Sequence, residues 1–260
     1  MSTFLFDSTV FGPVKSRRLG TSLGINLLPN DSKLCSFDCI YCECGWNPDS
    51  KKVKAVLPSR EDVSRLLELK LKEMAQNDEL PDVITFAGNG EPTMHPQFSL
   101  IIEDTMKLRD QFATDARIAV LSNSTMLFKS SVVEALNKID DNILKLDSAF
   151  PATIEIINCP VGRFYLDDLV KQLQSFQGNL MIQTMFLKGT FKGVDFDNTT
   201  DKEVSAWIEL LAKINPKKVM IYSIARDTPL QSLIRTEPDK LHEIAAKARQ
   251  SITGMIEVST

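Results

Sequence analysis

The chain predicts an α/β fold with a parallel, helix-covered sheet. Three observations carry this expectation: apolar runs alternate with amphipathic helical stretches, the apolar runs are mostly continuous rather than period-two, and clusters of polar residues follow them. Continuous apolar strands are what a sheet buried on both faces requires. Of the 260 residues, 43% are hydrophobic and 25% charged, the balance of an ordinary globular chain. Length alone does not set the number of domains, because α/β barrels hold this many residues in one. The element order decides for one.

Residues 1–18 are irregular and punctuated by Gly12 and Pro13. Residues 19–28 then form an expected buried strand, ended by the turn chemistry of Pro29-Asn30-Asp31-Ser32. Four cysteines follow within residues 35–44, so they lie in a loop just after a strand. The loop continues over 45–58. Ser59, with Asp62 three residues on, caps a helix whose apolar face is Val63, Leu66, Leu67, Leu71 and Met74. Strand 83–87, helix 98–112, strand 117–122, helix 130–138, strand 142–146 and helix 165–176 come next. Strand 180–186, helix 201–214, strand 218–224 and helix 238–251 complete six strand-helix units. The expectation is a single domain, 1–260, with an N-terminal extension at 1–18 and a core at 19–252.

No stretch reaches the roughly eighteen apolar residues of a membrane-spanning helix, and the N-terminus lacks the basic flank and cleavage site of a signal peptide. A cytoplasmic protein is expected. Its five cysteines are an odd number, which favours metal binding or catalysis over a disulfide framework. The formal charge of -4 gives no whole-molecule field for nucleic acid. Lys15, Arg17 and Arg18 form a local basic group that suits a phosphate or simply solvent.

In parallel α/β sheets reactive groups gather at the carboxyl ends of the strands. The polar residues there are the cysteine loop, Gly88-Asn89-Gly90-Glu91-Pro92-Thr93, Ser122-Asn123-Ser124, Asp147-Ser148, Thr184 with Lys188, and Ser223 with Arg226 and Asp227.

Cys35, Cys39 and Cys42 have the spacing Cys-x3-Cys-x2-Cys, short enough for one loop to wrap three thiolates around a cluster. Four thiolates are usual for a 4Fe-4S cluster, so three leave one iron open. Zinc is the competing reading, with Cys44 as fourth ligand; zinc sites generally pair cysteines in two separated halves, and a Cys-x1-Cys step crowds one tetrahedral ion. Buried structural thiols are the other alternative, at odds with a loop bearing Ser, Asp and Tyr.

With Tyr41 just before the last cysteine, this segment resembles the radical S-adenosylmethionine superfamily. The stretches Phe11-Gly-Pro-Val-Lys-Ser-Arg-Arg-Leu-Gly20, Ser22-Leu-Gly-Ile-Asn-Leu27, Gly88 to Pro96 and Lys145-Leu-Asp147 are similar to one branch of it. That branch comprises iron-sulfur oxidoreductases similar to the radical enzymes of wyosine tRNA modification. The resemblance implies a partial (β/α)6 barrel of TIM type, a 4Fe-4S cluster on Cys35, Cys39 and Cys42, and S-adenosyl-L-methionine bound at the open iron. It also implies an electron donor such as a flavodoxin or ferredoxin. Reductive cleavage then gives a 5'-deoxyadenosyl radical that takes a hydrogen atom from substrate. Phe37 and Tyr41 would screen the cluster and help set its potential.

Gly88, Asn89, Gly90 and Glu91 resemble the superfamily's Gly-Gly-Glu-Pro motif, with Asn89 before Gly90 as a departure from it. Glycines let backbone approach a ligand, and their carbonyls would accept from the methionine ammonium; a plain turn is the alternative. Ser122 and Asn123 suit the ribose or carboxylate, or cap a helix. Asp147 and Cys159 are the catalytic candidates, although Lys145 shares a strand face with Asp147 and the two can pair. Cys44 and Cys159 suit a hydrogen donor, a tethering thiol or a spare ligand, and equally inert packing. Arg226 suits an anion or a surface ion pair, His95 the substrate or a helix cap, and Trp46 and Trp207 packing.

Three substrate classes stay open on the sequence: a tRNA base, a protein or peptide, and a small metabolite. The wyosine enzymes carry further cysteines near the N-terminus, and none precedes Cys35. The competing class of function is a non-catalytic zinc- or iron-sulfur-binding interaction module.

Overall fold

Strands apolar on both sides need cover on both sides, and the alternation of the chain supplies it. The computed structural model describes residues 4–16, 19–49 and 55–260; Arg17 and Arg18 lie outside them. In chain order the elements are β1 (Val10–Ser16), β2 (Gly20–Ile25), α1 (Arg60–Gln76), β3 (Val83–Phe86), α2 (Phe98–Phe112), β4 (Arg117–Ser122), α3 (Ser130–Lys138), β5 (Asp141–Lys145), α4 (Pro151–Ile157) and α5 (Leu166–Gln174). Then come β6 (Met181–Met185), β7 (Leu187–Phe191), β8 (Val194–Asp197), α6 (Asp201–Ile214), β9 (Lys218–Tyr222), β10 (Ile234–Arg235), α7 (Pro238–Ala248) and β11 (Met255–Ser259).

The sheet runs β1-β2-β3-β4-β5-β6-β9-β11. All neighbours are parallel except the antiparallel edge pair β1 and β2. This is the expected α/β partial barrel, with all six expected strands in their expected order. Ser59 caps α1 as foreseen, its hydroxyl accepting from the Asp62 N–H.

Successive side chains of a strand face opposite ways. Ile84, Phe86, Ile118, Val120, Leu144, Ile182, Val219 and Ile221 join the helices in the main core. The alternate residues Val83, Ala119, Ile143, Met181 and Met220 form an apolar layer on the inner face. Two residues further along the same strands stand Thr85, Leu121, Lys145, Gln183 and Tyr222. Polarity therefore begins on the inner face at the carboxyl ends, where the cysteine loop crosses.

The sheet runs past both expected limits of the core, through β1 before residue 19 and β11 after residue 252. A three-stranded sheet, β10-β7-β8, was also not foreseen. Its Leu187 and Phe196 cluster with Phe37, Ile40 and Tyr41, so it backs the cysteine loop. Neither α4, at seven residues and rich in β-branched side chains, nor the half-exposed β7 and β8 carries a strong periodic signal.

Candidate active site

Residues 33–47 are held on three sides. Leu34 bridges to Gly90, Phe37 to Pro160, and the Ile40 N–H donates to the Ile157 carbonyl at 3.1 Å. Within the loop, Asn47 works as a strap: its Nδ2 donates to the carbonyls of Cys35 (3.1 Å) and Phe37 (3.2 Å), and its Oδ1 accepts from the Cys35 N–H at 3.0 Å. The ammonium of Lys33 reaches Asp38 Oδ1 (3.0 Å) and the Gly45 carbonyl (2.8 Å) beneath it.

Cys35, Cys39, Cys42 and Cys44 all line one cavity of about 300 Å³, together with Gly88, Gly90, Glu91, Ser122, Asn123, Tyr41 and Lys145. Burial, then the Glu91 charge, pushes the Cys35 thiol well up, and burial raises Cys39 to about 11. Cys42 is lowered to about 6, first by the hydrogen bond from Cys44, and Cys44 rises as its partner. Among the described residues, no group of three or more His, Cys, Asp or Glu side chains is arranged to hold a metal ion. The donor set nevertheless fits a thiolate-held cluster: Cys35, Cys39 and Cys42 line one cavity, and the charges of two buried ammonium groups, Lys33 and Lys145, act on these thiols. Such cations offset the negative charge of thiolate ligands.

Two asparagines far away in sequence reach the thiols. Asn123 Nδ2 lies 3.4 Å from Cys35 Sγ and 2.9 Å from Ser36 Oγ. Asn158 Nδ2 lies 3.4 Å from Cys39 Sγ. Asn158 also donates to Asp147 Oδ2 at 2.8 Å, and that carboxylate accepts from the Tyr41 hydroxyl, from the Met185 N–H (2.9 Å) and from Lys145 at 3.5 Å. Burial alone would lower Lys145, but the charge of Asp147 leads a set that holds it above its ordinary range. Burial, then Asp147, keeps Tyr41 protonated.

Glu91 is buried beside the cavity. Its Oε1 accepts from the Thr93 N–H (3.0 Å), the Thr93 hydroxyl and the Ser122 hydroxyl (2.9 Å), and its Oε2 from the Asn123 N–H at 2.5 Å. It thereby ties the end of β3 to the end of β4. Burial raises its carboxyl in spite of these bonds. The glycines serve packing first: a Cβ on Gly88 would stand 2.3 Å from Asn26 Oδ1, and one on Gly90 1.9 Å from the Leu34 carbonyl.

Three expected site residues lie outside the cavity lining. Asn89 is turned away; its Oδ1 accepts from the Phe6 N–H (2.9 Å), and its Nδ2 donates to the carbonyls of Phe6 and Pro29 (both 2.8 Å). It holds the N-terminal segment, and so brings Phe6 to the cavity rim. Asp147 is buried away from the cavity, its Oδ2 facing Tyr41, Asn158 and Lys145 and its Oδ1 accepting from the Met185 N–H. Cys159 packs behind the loop, with its thiol donating to the Ile156 carbonyl at 3.3 Å. His95 bonds Pro58 and Gln97, Arg226 pairs with Glu43 at 2.8 Å, and Trp207 is buried on Thr184. Phe6, Lys33, Asn47, Asn158, Gln183 and Tyr222 were not foreseen.

Asn89→Gly is expected to cost about 1–3 kcal/mol, the usual penalty for orphaned buried partners. The Phe6 amide should then lose hydrogen-exchange protection. Unchanged protection would contradict this role for Asn89.

No family model matches the chain. The UPF0026 protein slr1464 of Synechocystis sp. is 34% identical over 227 residues, 85% of this chain and 77% of that protein. The UPF0026 protein MJ1312 of Methanocaldococcus jannaschii is 32% identical over 238 residues, 90% of this chain and 68% of that protein. A protein described as GTPase Obg, from Brachyspira hyodysenteriae, is 31% identical over 223 residues, 84% of this chain but 30% of that longer protein. Among solved structures, TYW1 with a lysine-pyruvate adduct bound superposes with a TM-score of 0.64 at 15% identity, covering 90% of this chain and 76% of that one. A radical SAM methyltransferase from Sphaerobacter thermophilus gives 0.65 at 12% identity, covering 92% and 66%. At such identities the likeness is one of fold. Among the described residues, no helix is long and apolar enough to cross a membrane.

Proposed function

This chain belongs to the UPF0026 family and has the fold of radical S-adenosylmethionine enzymes, and from that premise we propose that it cleaves S-adenosylmethionine at a 4Fe-4S cluster held by Cys35, Cys39 and Cys42. The observation that carries the reading is the meeting of three thiols with Gly88, Gly90, Glu91, Ser122 and Asn123 around one cavity. The chemistry a 4Fe-4S cluster supplies at three thiolates is one electron and one iron with an open position, which splits the sulfonium into methionine and a 5'-deoxyadenosyl radical.

The chain's own residues divide the remaining work. Glu91 Oε2, which accepts one protein bond where Oε1 accepts three, has acceptor capacity for the methionine ammonium. Lys145 spends donors on Tyr41 (2.8 Å) and Asp147 (3.5 Å) and keeps a third N–H for a carboxylate. Asn123 and Asn158, donating toward Cys35 and Cys39, raise the potential of whatever those sulfurs hold. Phe37 and Tyr41, both buried, keep water from the thiolates. A cytoplasmic setting with a flavodoxin- or ferredoxin-type donor completes the reading.

Its test is spectroscopic. Protein reconstituted anaerobically with iron and sulfide should be brown, and adding S-adenosylmethionine should change the electron paramagnetic resonance of the reduced cluster. A colourless protein with one zinc per chain, or a spectrum indifferent to S-adenosylmethionine, would contradict it and favour an interaction module.

A further inference from the structure

We infer that the surface behind the cysteine loop is the docking face for an acidic one-electron carrier protein, an inference that rests on the function proposed above. A second cavity, of about 320 Å³, lies on that side of the loop. It is lined by Ser36 and Phe37, the two residues after Cys35, and Phe37 also lines the thiol cavity. Phe37 therefore borders both. A polar link runs beside it: Asn123 Nδ2 contacts Cys35 Sγ at 3.4 Å and Ser36 Oγ at 2.9 Å, and Ser36 Oγ meets Thr125 Oγ1 at 2.5 Å.

The rim is built like an interface. Phe128, Val161 and Tyr165 line this cavity and are 66%, 62% and 62% exposed. Single exposed apolar side chains are ordinary, but three around one hollow make a patch. Arg163 lines the same hollow, and Lys129 Nζ stands 5.8 Å over the Phe128 ring. Neither cation has a carboxylate partner among the described residues. Asp168 on the rim faces Lys171 at 3.6 Å, and Asp167 beside it sits in the first turn of α5, where the helix N-terminus offsets it. Aromatic and arginine side chains together are the composition of binding hot spots.

These features select the occupant. The chain carries a net charge of -4, so Arg163 and Lys129, without carboxylate partners among the described residues, mark a place where an acidic protein is accepted. Electron-transfer encounters are small, below about 1,200 Å², in keeping with a single hollow. Phe37 apart, the thiol cavity is lined by other residues, among them Phe6, Glu43 and Tyr222, so a carrier behind the loop does not compete with substrate. The step balances as one electron: the carrier is oxidised by one, the cluster is reduced by one, and no bond or proton moves.

The experiment compares wild type with Lys129→Glu/Arg163→Glu and with Phe128→Ser, all reconstituted anaerobically. Reduced ferredoxin, flavodoxin hydroquinone or dithionite is mixed in, and cluster bleaching is followed by stopped flow. The charge reversal should slow reduction by either carrier at least ~10-fold at low salt, the gap narrowing at about 0.5 M salt. Phe128→Ser should slow it at both salts. Carrier binding to the protein without iron, read by surface plasmon resonance, should weaken in parallel. Dithionite reduction and dithionite-driven 5'-deoxyadenosine release should stay at wild-type rates. Unchanged carrier rates would overturn the docking face while leaving the proposed chemistry standing. Equal slowing with dithionite in both variants would also overturn it, because the surface would then be supporting the loop.

Discussion

Asp147→Ala is expected to lower unfolding free energy by about 3–5 kcal/mol, the cost of breaking a buried ion pair from one side. The Asp147 side chain is fully buried, and Lys145 stands 3.5 Å from it. Without the carboxylate, Lys145 is left as a buried cation with no counter-ion. The Tyr41 hydroxyl, the Asn158 amide and the Met185 N–H lose their acceptor in the same stroke. Since Tyr41 lies in the cysteine loop, the loop should loosen with the core. Urea titration measures the cost, and Asp147→Ala/Lys145→Met should recover part of it, because the two residues share one interaction. A loss under about 1 kcal/mol would show that the network does not hold the loop.

That network also marks how far the sequence could be read. The three thiols were legible because a short loop carries all of them at a spacing few other uses require. Glu91, Ser122 and Asn123 were legible from position, since strand ends on the inner face are where polarity begins. Side-chain direction was not. Asn89 and Glu91 are two residues apart, yet the first faces Phe6 and Pro29 while the second borders the cavity. Asp147 looked like a catalytic group at a strand end, but the Met185 N–H and the Tyr41 hydroxyl draw it inward. Asn158 had no sequence signal, being 119 positions from the cysteine it contacts, at the end of a seven-residue helix. Six strands were read from their apolar runs, whereas β7, β8 and β11 were not, because partly exposed strands dilute that pattern.

The largest expected effect is on activity. Cys39 is buried at the cavity wall, touched by Asn158 and by the charge of Lys145. Its removal leaves two thiolates for a cluster normally held by cysteines and deletes one end of that polar network. In the proposed cluster neither of the two remaining thiolates would take its place, since each would hold its own iron. Cys44 already bonds Gly88 and Cys42. Cys39→Ala is therefore expected to abolish turnover, while a folded α/β chain survives in the circular dichroism spectrum.

The most direct measurement is of 5'-deoxyadenosine, after anaerobic reconstitution and reduction by dithionite in the presence of S-adenosylmethionine, with Cys39→Ala alongside. Wild type should release it and the variant none. Release from neither, despite a full complement of iron and sulfide in the wild type, would contradict the account and leave the cysteine loop as a structural metal site.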